Sequence, residues 1–385
     1  MPFVVDGKYR LEVTINNRVL SETSNIIDEV AIHESINQSL PTVDLKFVNL
    51  DNLLEDNPLT DGSQVDIDLT ILQNGQEEEL LRLETVLWSY ESTDITEGTR
   101  IKLHCVLSAP DFFEGRIESI NGSSFEVFNL VAERSGMQLI SDSSIDKQVW
   151  IRPGIRGNVW LNDVINHSWA SPKSAFVYAV TRERELLRYN LDERASRNPI
   201  WFFKPEREFF GEVYGDNVIK FKYPQFSSQS GLLNTFFGYG RDLSTFNVDS
   251  GETTSHKPTS FVKRTNFMNL NNNRETPQRR DSLGFDNALN VHENYFNAYA
   301  QNMRIKSFYS INVDFLSLYF QNVKLLDRVS LQLNDESRQE KQQTYAGEYF
   351  VQGISTILDT TNIVRRFSLT REGLNAPETV SNNSK

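Results

Sequence analysis

Cysteine is almost missing from this chain: Cys105 is the only one in 385 residues. A single thiol forms no internal disulfide, and because Cys105 sits in an alternating apolar run it is expected to be buried and inert. No two of the five histidines, His33, His104, His167, His256 and His292, lie within four residues of each other, so zinc-ligand spacing is missing too. No apolar run approaches the ~18–20 residues of a membrane helix, and no membrane insertion is expected. The first residues, Met1 to Asp6, lack a basic region followed by an apolar core, so no secretory signal is visible and synthesis in the cytoplasm is expected. Basic residues are scarce at one end. Residues 1–100 hold 20 Asp and Glu against 6 Lys and Arg, a balance of −14, whereas the whole chain stands at −13. A surface this acidic repels nucleic acid, which counts against sequence-specific DNA binding and suits a wall past which DNA slides.

What is present reads as β structure at both ends. In Tyr9 to Ile15, Tyr9, Leu11, Val13 and Ile15 share one face, and Arg10, Glu12 and Thr14 the other. Val43–Phe47, Val65–Ile71 and Arg100–Leu107 repeat the period of two, the mark of strands with one dry and one wet face. Asn57-Pro58, Asp61-Gly62, Asn74-Gly75 and Glu97-Gly98 punctuate them. Past Pro110 the texture changes. Ser123 and Glu126 form a capping-box pattern ahead of a short helix that stops at Gly136, and a second helix is predicted over about 158–170 with Trp160, Leu161, Val164, Ile165 and Trp169 on one stripe. Ala175 to Val180 reads as a strand. Strands return at 201–244, a polar stretch at 245–284 reads as an exposed loop, and Phe285 to Met303 has helical spacing. Period two resumes from Ser307, and the polar tail reads as disordered.

The fold expected is mainly β with an α+β insert: two tail-tube-like antiparallel β-barrels plus a small α/β domain. Residues 1–108 make the first barrel, completed by 201–244; 109–200 are the insert; 245–284 the loop; 285–373 a helix plus the second barrel; and 374–385 the tail.

Catalytic signatures are weak. Gly238-Tyr239-Gly240 lacks a third glycine and a strand–loop–helix context, so a turn is the reading. His292 lies on an aromatic helix stripe, where a packed histidine is favoured over a ligand. The cluster Arg182 to Arg188 alternates with Glu183 and Glu185 and reads as a solvated face. Asp66 and Asp68 share a strand face; glycosidases also pair carboxylates, but in so acidic a stretch such pairs arise by chance. No catalytic, cofactor or metal site is assigned, and the chain is read as a non-enzyme.

Two C-terminal segments carry a family likeness. One is Val323-Lys324-Leu325-Leu326-Asp327-Arg328-Val329-Ser330-Leu331. The other is Gly347-Glu348-Tyr349-Phe350-Val351-Gln352-Gly353-Ile354-Ser355, followed by Arg366-Phe367-Ser368-Leu369-Thr370-Arg371-Glu372-Gly373. A strand start Leu-Asp-Arg-Val, a Gly-x-Tyr-x-Val-x-Gly strand and a strand ending Arg-x-Gly resemble the end of the baseplate hub proteins of contractile-tailed phages, whose fold also forms the base of type VI secretion spike proteins. The Trp160 helix with Phe176 to Arg188 resembles the middle domain of those hubs, and Ile15 to Val19 with Asp28 to Ile32 their first barrel. Leu326 stands where many family members place a glycine.

The resemblance implies a structural virion protein of the tail baseplate. It would be a homotrimer in which three copies of two barrels imitate six, adapting a hexameric tail tube to a trimeric central spike. Implied partners are the central spike protein, supplied separately, the tail tube or tube-initiator protein, baseplate wedge proteins, and phage DNA passing without specific binding. Asp66, Asp68, Glu84 and Glu91 are the candidate channel-lining residues; Arg328, Tyr349 and Arg366 are the candidate assembly residues. The alternatives are a carbohydrate-active or glycan-binding β-rich protein, and the hub of a secretion system or phage-like bacteriocin.

Overall fold

The computed structural model describes residues 3–5, 9–20, 26–36, 38–50, 58–73, 76–96, 98–206, 217–228, 241–247, 250–256, 279–283, 291–302, 311–317, 322–333, 345–359 and 363–371. The turn at 238–240, the start of the expected helix at 284–290 and the tail at 374–385 lie outside the described residues.

The first β unit comprises β1 (Phe3–Val5), β2 (Tyr9–Ile15), β3 (Arg18–Val19), β4 (Ile26–Ser35), β5 (Thr42–Asn49), β6 (Gln64–Gln73), β7 (Gln76–Ile95) and β8 (Gly98–Leu107). Alternation sets these strands: Leu11, Val13, Ile15, Val43, Leu45, Phe47, Val65, Ile67 and Leu69 are all buried, and the residues between them are not. Cys105 lies in the same core, and burial pushes its thiol up to about 12.

The insert follows: α1 (Pro110–Phe113), β9 (Gly115–Gly122), α2 (Ser124–Arg134), β10 (Gln138–Ser141), β11 (Gln148–Arg156), α3 (Gly157–Asn166), β12 (Phe176–Val180), β13 (Glu185–Asn190) and α4 (Leu191–Ala195). The capping box forms, with Glu126 accepting from the Ser123 backbone N–H at 2.7 Å. Only glycine suits the start of α3, since a Cβ on Gly157 would lie 2.2 Å from the Asp111 carbonyl oxygen. Strand β12 is buried along its whole length because it has a core on each side. Phe176, Tyr178 and Val180 enter the core of the first unit, and Val177 and Ala179 that of the second.

The rest comprises β14 (Trp201–Pro205), β15 (Val218–Ser228), β16 (Arg241–Phe246), β17 (Thr253–His256), β18 (Arg279–Leu283), α5 (Tyr295–Asn302), β19 (Ile311–Ser317), β20 (Arg328–Leu331), β21 (Gly347–Asp359) and β22 (Ile363–Arg371). Strands β14 and β15 do not complete the first barrel, as the sequence reading expected of 201–244. They pair with β20 and β19 and close a six-stranded barrel with β21 and β22. The physical reason is a shared core: Phe203 and Phe221 pack against Phe315, with centroids 4.9 and 4.7 Å apart. Within 245–284, expected as loop, β17 and β18 flank β16 in a small sheet of its own.

The two units share one plan. In chain order the first uses β2, β4, β5, β6, β7, β8 and the second β14, β15, β19, β20, β21, β22. Around each core the fourth strand follows the first, then the fifth, sixth, third and second. Within the two units all ladders are antiparallel except those of β14, which runs parallel to both neighbours. The β14–β15 rung closes the second ring. The corresponding β2–β4 ladder is not formed among the described residues, yet Leu11 and Val13 of β2 share a core with Val30 and Ile32 of β4.

The match extends to single hydrogen bonds. Gly62 N–H donates to the Leu87 carbonyl at 3.1 Å, and Leu87 N–H to Ser63 at 2.8 Å. In the second unit Leu326 N–H donates to Val351 at 2.9 Å, and Val351 N–H to Asp327 at 3.0 Å. Both fifth strands carry a bulge one residue later, at Trp88 and at Gln352. The units are welded into one sheet by β4, which pairs antiparallel with β21 from Glu29↔Asp359 to Ser35↔Gly353.

Candidate functional site

Three of the four acidic candidates come together. On the wet face of the first unit Asp66 lies directly opposite Glu84, and Asp68 sits between Glu12 and Arg82. Like charges placed directly opposite across a ladder destabilise it, and Arg82, 3.8 Å from Asp68, offsets them weakly. Partial burial, then neighbouring carboxylates, raise both the Asp66 and Asp68 carboxyls above the usual range, although Gln64 donates to Asp66 at 2.7 Å. Glu84 also meets Arg184 of the insert at 3.5 Å. Glu91 is apart from the others. It stands beyond the Trp88 bulge, on the half of β7 that among the described strands pairs only with β8, and lies 3.6 Å from His104, which is bound to Asp44 at 2.7 Å.

Of the assembly candidates, Arg366 is exposed. The others are occupied within the chain. Tyr349 is 1% exposed, donates its hydroxyl to the Tyr345 carbonyl at 2.6 Å and lies under the Arg371 guanidinium. Arg328 bonds the carbonyls of Ala195 and Arg197 and the carboxylate of Glu348, tying the end of the insert to the second barrel.

The arginine cluster of the insert is not a solvated face. Arg182 and Arg188 are 2% and 0% exposed. Arg188 bonds the Asp142 carbonyl at 2.9 Å, stands 3.8 Å from Asp146 and covers the Phe176 ring at 4.2 Å; desolvation lowers it to about 10. Arg182 occupies the seam where the insert and both β units meet. Its backbone N–H donates to Glu34 at 2.8 Å, and its guanidinium lies 3.5 Å from Glu34 and 3.4 Å from Thr356. Burial raises the Glu34 carboxyl while Arg182 opposes the rise. Alternation with Glu183 and Glu185 looks solvated in sequence; what overrides it is a sheet sandwiched between two cores, which leaves no wet face at Arg188.

Sequence reasoning missed the exposed aromatics on two strands. Trp88 and Tyr90, 61% and 51% exposed, stand on the outer half of β7, and Tyr223, 75% exposed, stands on β15 with φ +54°. The run Trp88-Ser89-Tyr90-Glu91 offered a signal, since its aromatics alternate with polar residues where a half-buried strand has aliphatics.

No protein-family model matches the chain, and no curated protein matches it by sequence. Solved structures do. The 43 kDa tail protein of prophage MuSo2 from Shewanella oneidensis aligns over 95% of this chain and 100% of its own, at 12% identity and TM-score 0.58. The chain has the fold of a phage tail protein. A tail protein from Neisseria meningitidis MC58 aligns over 95% of this chain and 97% of its own, at 9% identity and TM-score 0.57. A chain of the Francisella PdpA-VgrG complex aligns over 96% of this chain and 59% of its own, at 9% identity and TM-score 0.50. The hub fold implied by the sequence resemblance, common to phage baseplates and secretion spikes, is therefore the fold found.

Proposed function

We propose that this chain is a structural part of a phage tail baseplate: a homotrimeric hub that adapts a hexameric tail tube to a trimeric central spike and lines the channel through which DNA passes. The observation that carries the reading is the repeated plan. Two units with one strand order, one turn and one bulge inside a single chain allow three copies to present six similar edges, which a three-to-six adaptor requires. The tail-protein neighbours support the same reading through the fold. In the hub, Asp66, Asp68 and Glu84 face the lumen and keep DNA from sticking, and Arg366 contributes to contacts with spike, tube or wedge proteins. The virion baseplate is the site of action and the host cytoplasm the site of synthesis. A secretion-system hub is the second reading, favoured by the VgrG neighbour.

The mass of the purified full chain by light scattering, alone and with its spike protein, tests the proposal. A trimer is expected in at least one condition, and a monomer in both removes the hub.

A further inference from the structure

Within one chain, the second strand of the first unit, β4, joins the fifth strand of the second unit, β21. That joint leaves two strands of the same kind over: the fifth strand of the first unit, β7, and the second strand of the second unit, β15.

Each has an uncovered side where the joint would require it. On one side of β21, β20 covers Gly347–Phe350 and β4 covers Gly353–Asp359. On the matching side of β7, β6 stops at Val86, and from Trp88 to Ile95 no described strand follows. Strand β15 pairs with β14 only from Val218 to Phe221, so beyond Lys222 only its β19 side carries a strand among the described residues.

We infer that β7 of one copy pairs antiparallel with β15 of the next, repeating between copies the β4–β21 joint made within one. The inference rests on the trimeric reading above and names its contact. Register follows from the shared rungs. Glu91 faces Lys102 as Ser355 faces Arg366, and Ser227 faces Asn312 as His33 faces Thr42. Since Ser355 pairs with His33, Glu91 pairs with Ser227 of the neighbour, Tyr90 with Ser228, Ser92 with Phe226 and Thr93 with Gln225. The exposed rings of Trp88, Tyr90 and Tyr223 fall at this joint and gain cover. Each copy offers one strand of each kind, so the contact is heterologous, uses up both edges and closes a ring.

The test is a pair of cysteines in the full chain, Glu91→Cys with Ser227→Cys. In the equivalent internal pair, His33 Nδ1 lies 2.9 Å from Ser355 Oγ, so side chains at this rung touch. His33→Cys with Ser355→Cys is the positive control, giving a bridge within one chain, and Ser92→Cys with Ser227→Cys, one residue out of register, is the negative control. Mild oxidation of the Glu91/Ser227 variant is expected to give covalent dimers and trimers on a denaturing gel, reversed by reductant. A trimeric mass without such species overturns the joint and leaves the hub standing. A monomer with and without the spike overturns both.

Discussion

Gly62 and Leu326 occupy the same place in two copies of one turn. Both have left-handed backbones, φ +83° and +65°, and both donate to the carbonyl one residue before the bulge of their fifth strand. Glycine adopts this conformation freely, while a leucine pays about 1 kcal/mol or more. Leu326 is 1% exposed in the core of the second barrel, whereas a Cβ at Gly62 would touch nothing. Burial therefore holds a strained leucine where an exposed turn keeps glycine.

Opposite outcomes follow from this pair. Leu326→Gly relieves the backbone but empties a core site, a loss of roughly 2–5 kcal/mol, so net destabilisation of about 2 kcal/mol is expected in urea unfolding. Gly62→Ala gains no burial and should lose about 1 kcal/mol to strain alone. A stabilised Leu326→Gly protein would show that this side chain does not hold the turn.

Two of the contributions to the pH dependence oppose each other. Burial raises the Asp327 carboxyl to about 6 from an unfolded 3.8, so the stability of its protonated form is present below pH 3.8 and lost as pH rises to 6. His167 is lowered by burial to about 4 from 6.5, so its stability is present above pH 6.5 and lost as pH falls towards 4. Its ring stacks on Tyr295 at 3.6 Å, with Tyr299, Asp163 and His292 as its other neighbours. Each contribution is worth up to about 3 kcal/mol, and in the natural chain they largely cancel between pH 4 and 6. Asp327→Asn keeps an acceptor for the Lys324 N–H and should leave stability rising with pH across that window. His167→Phe keeps the stack and should leave it falling. Urea midpoints from pH 4 to 7 decide; parallel profiles for the two variants would refute the assignment.

The seam at Arg182 should be a costly site outside the hydrophobic cores. Arg182→Ala takes from buried Glu34 the guanidinium that stands 3.5 Å away, a loss of about 3–5 kcal/mol. Glu34→Gln keeps an acceptor for the Arg182 backbone N–H and should cost less. Equal losses from the two variants would place the energy in packing instead of charge.

Much of the local structure was legible, because alternation and capping are local. Tyr9 to Ile15, the Ser123–Glu126 box and the stripe from Trp160 to Ile165 follow from neighbours in the chain, whereas Trp169, expected on that stripe, lies past the end of the helix at Asn166. Partner choice is not local. Phe203 reads as a strand residue in either barrel, and only its packing against Phe315 and Phe367, more than a hundred residues on, decides. The acidic candidates were legible as a charge bias. Their division was not read, although the apolar phase shifts from Leu83 and Leu87 to Trp88 and Tyr90 at the bulge that sets Glu91 apart from Asp66 and Glu84.

That division separates two roles by experiment. In the triple variant Asp66→Lys, Asp68→Lys and Glu84→Lys, a repelling face becomes an attracting one. Duplex DNA should be retained in a gel shift at low salt and released towards physiological salt, since each phosphate contact adds about 0.9 to the slope of log affinity against log salt. The natural chain should show no retention. Glu91→Lys alone should leave DNA binding unchanged, because one lysine makes at most one phosphate contact. It should instead weaken self-association, since it replaces the side chain set against Ser227 of the neighbouring copy with a longer one of opposite charge. Retention of DNA by the Glu91→Lys chain, with assembly intact, would return Glu91 to the channel and take it away from the joint.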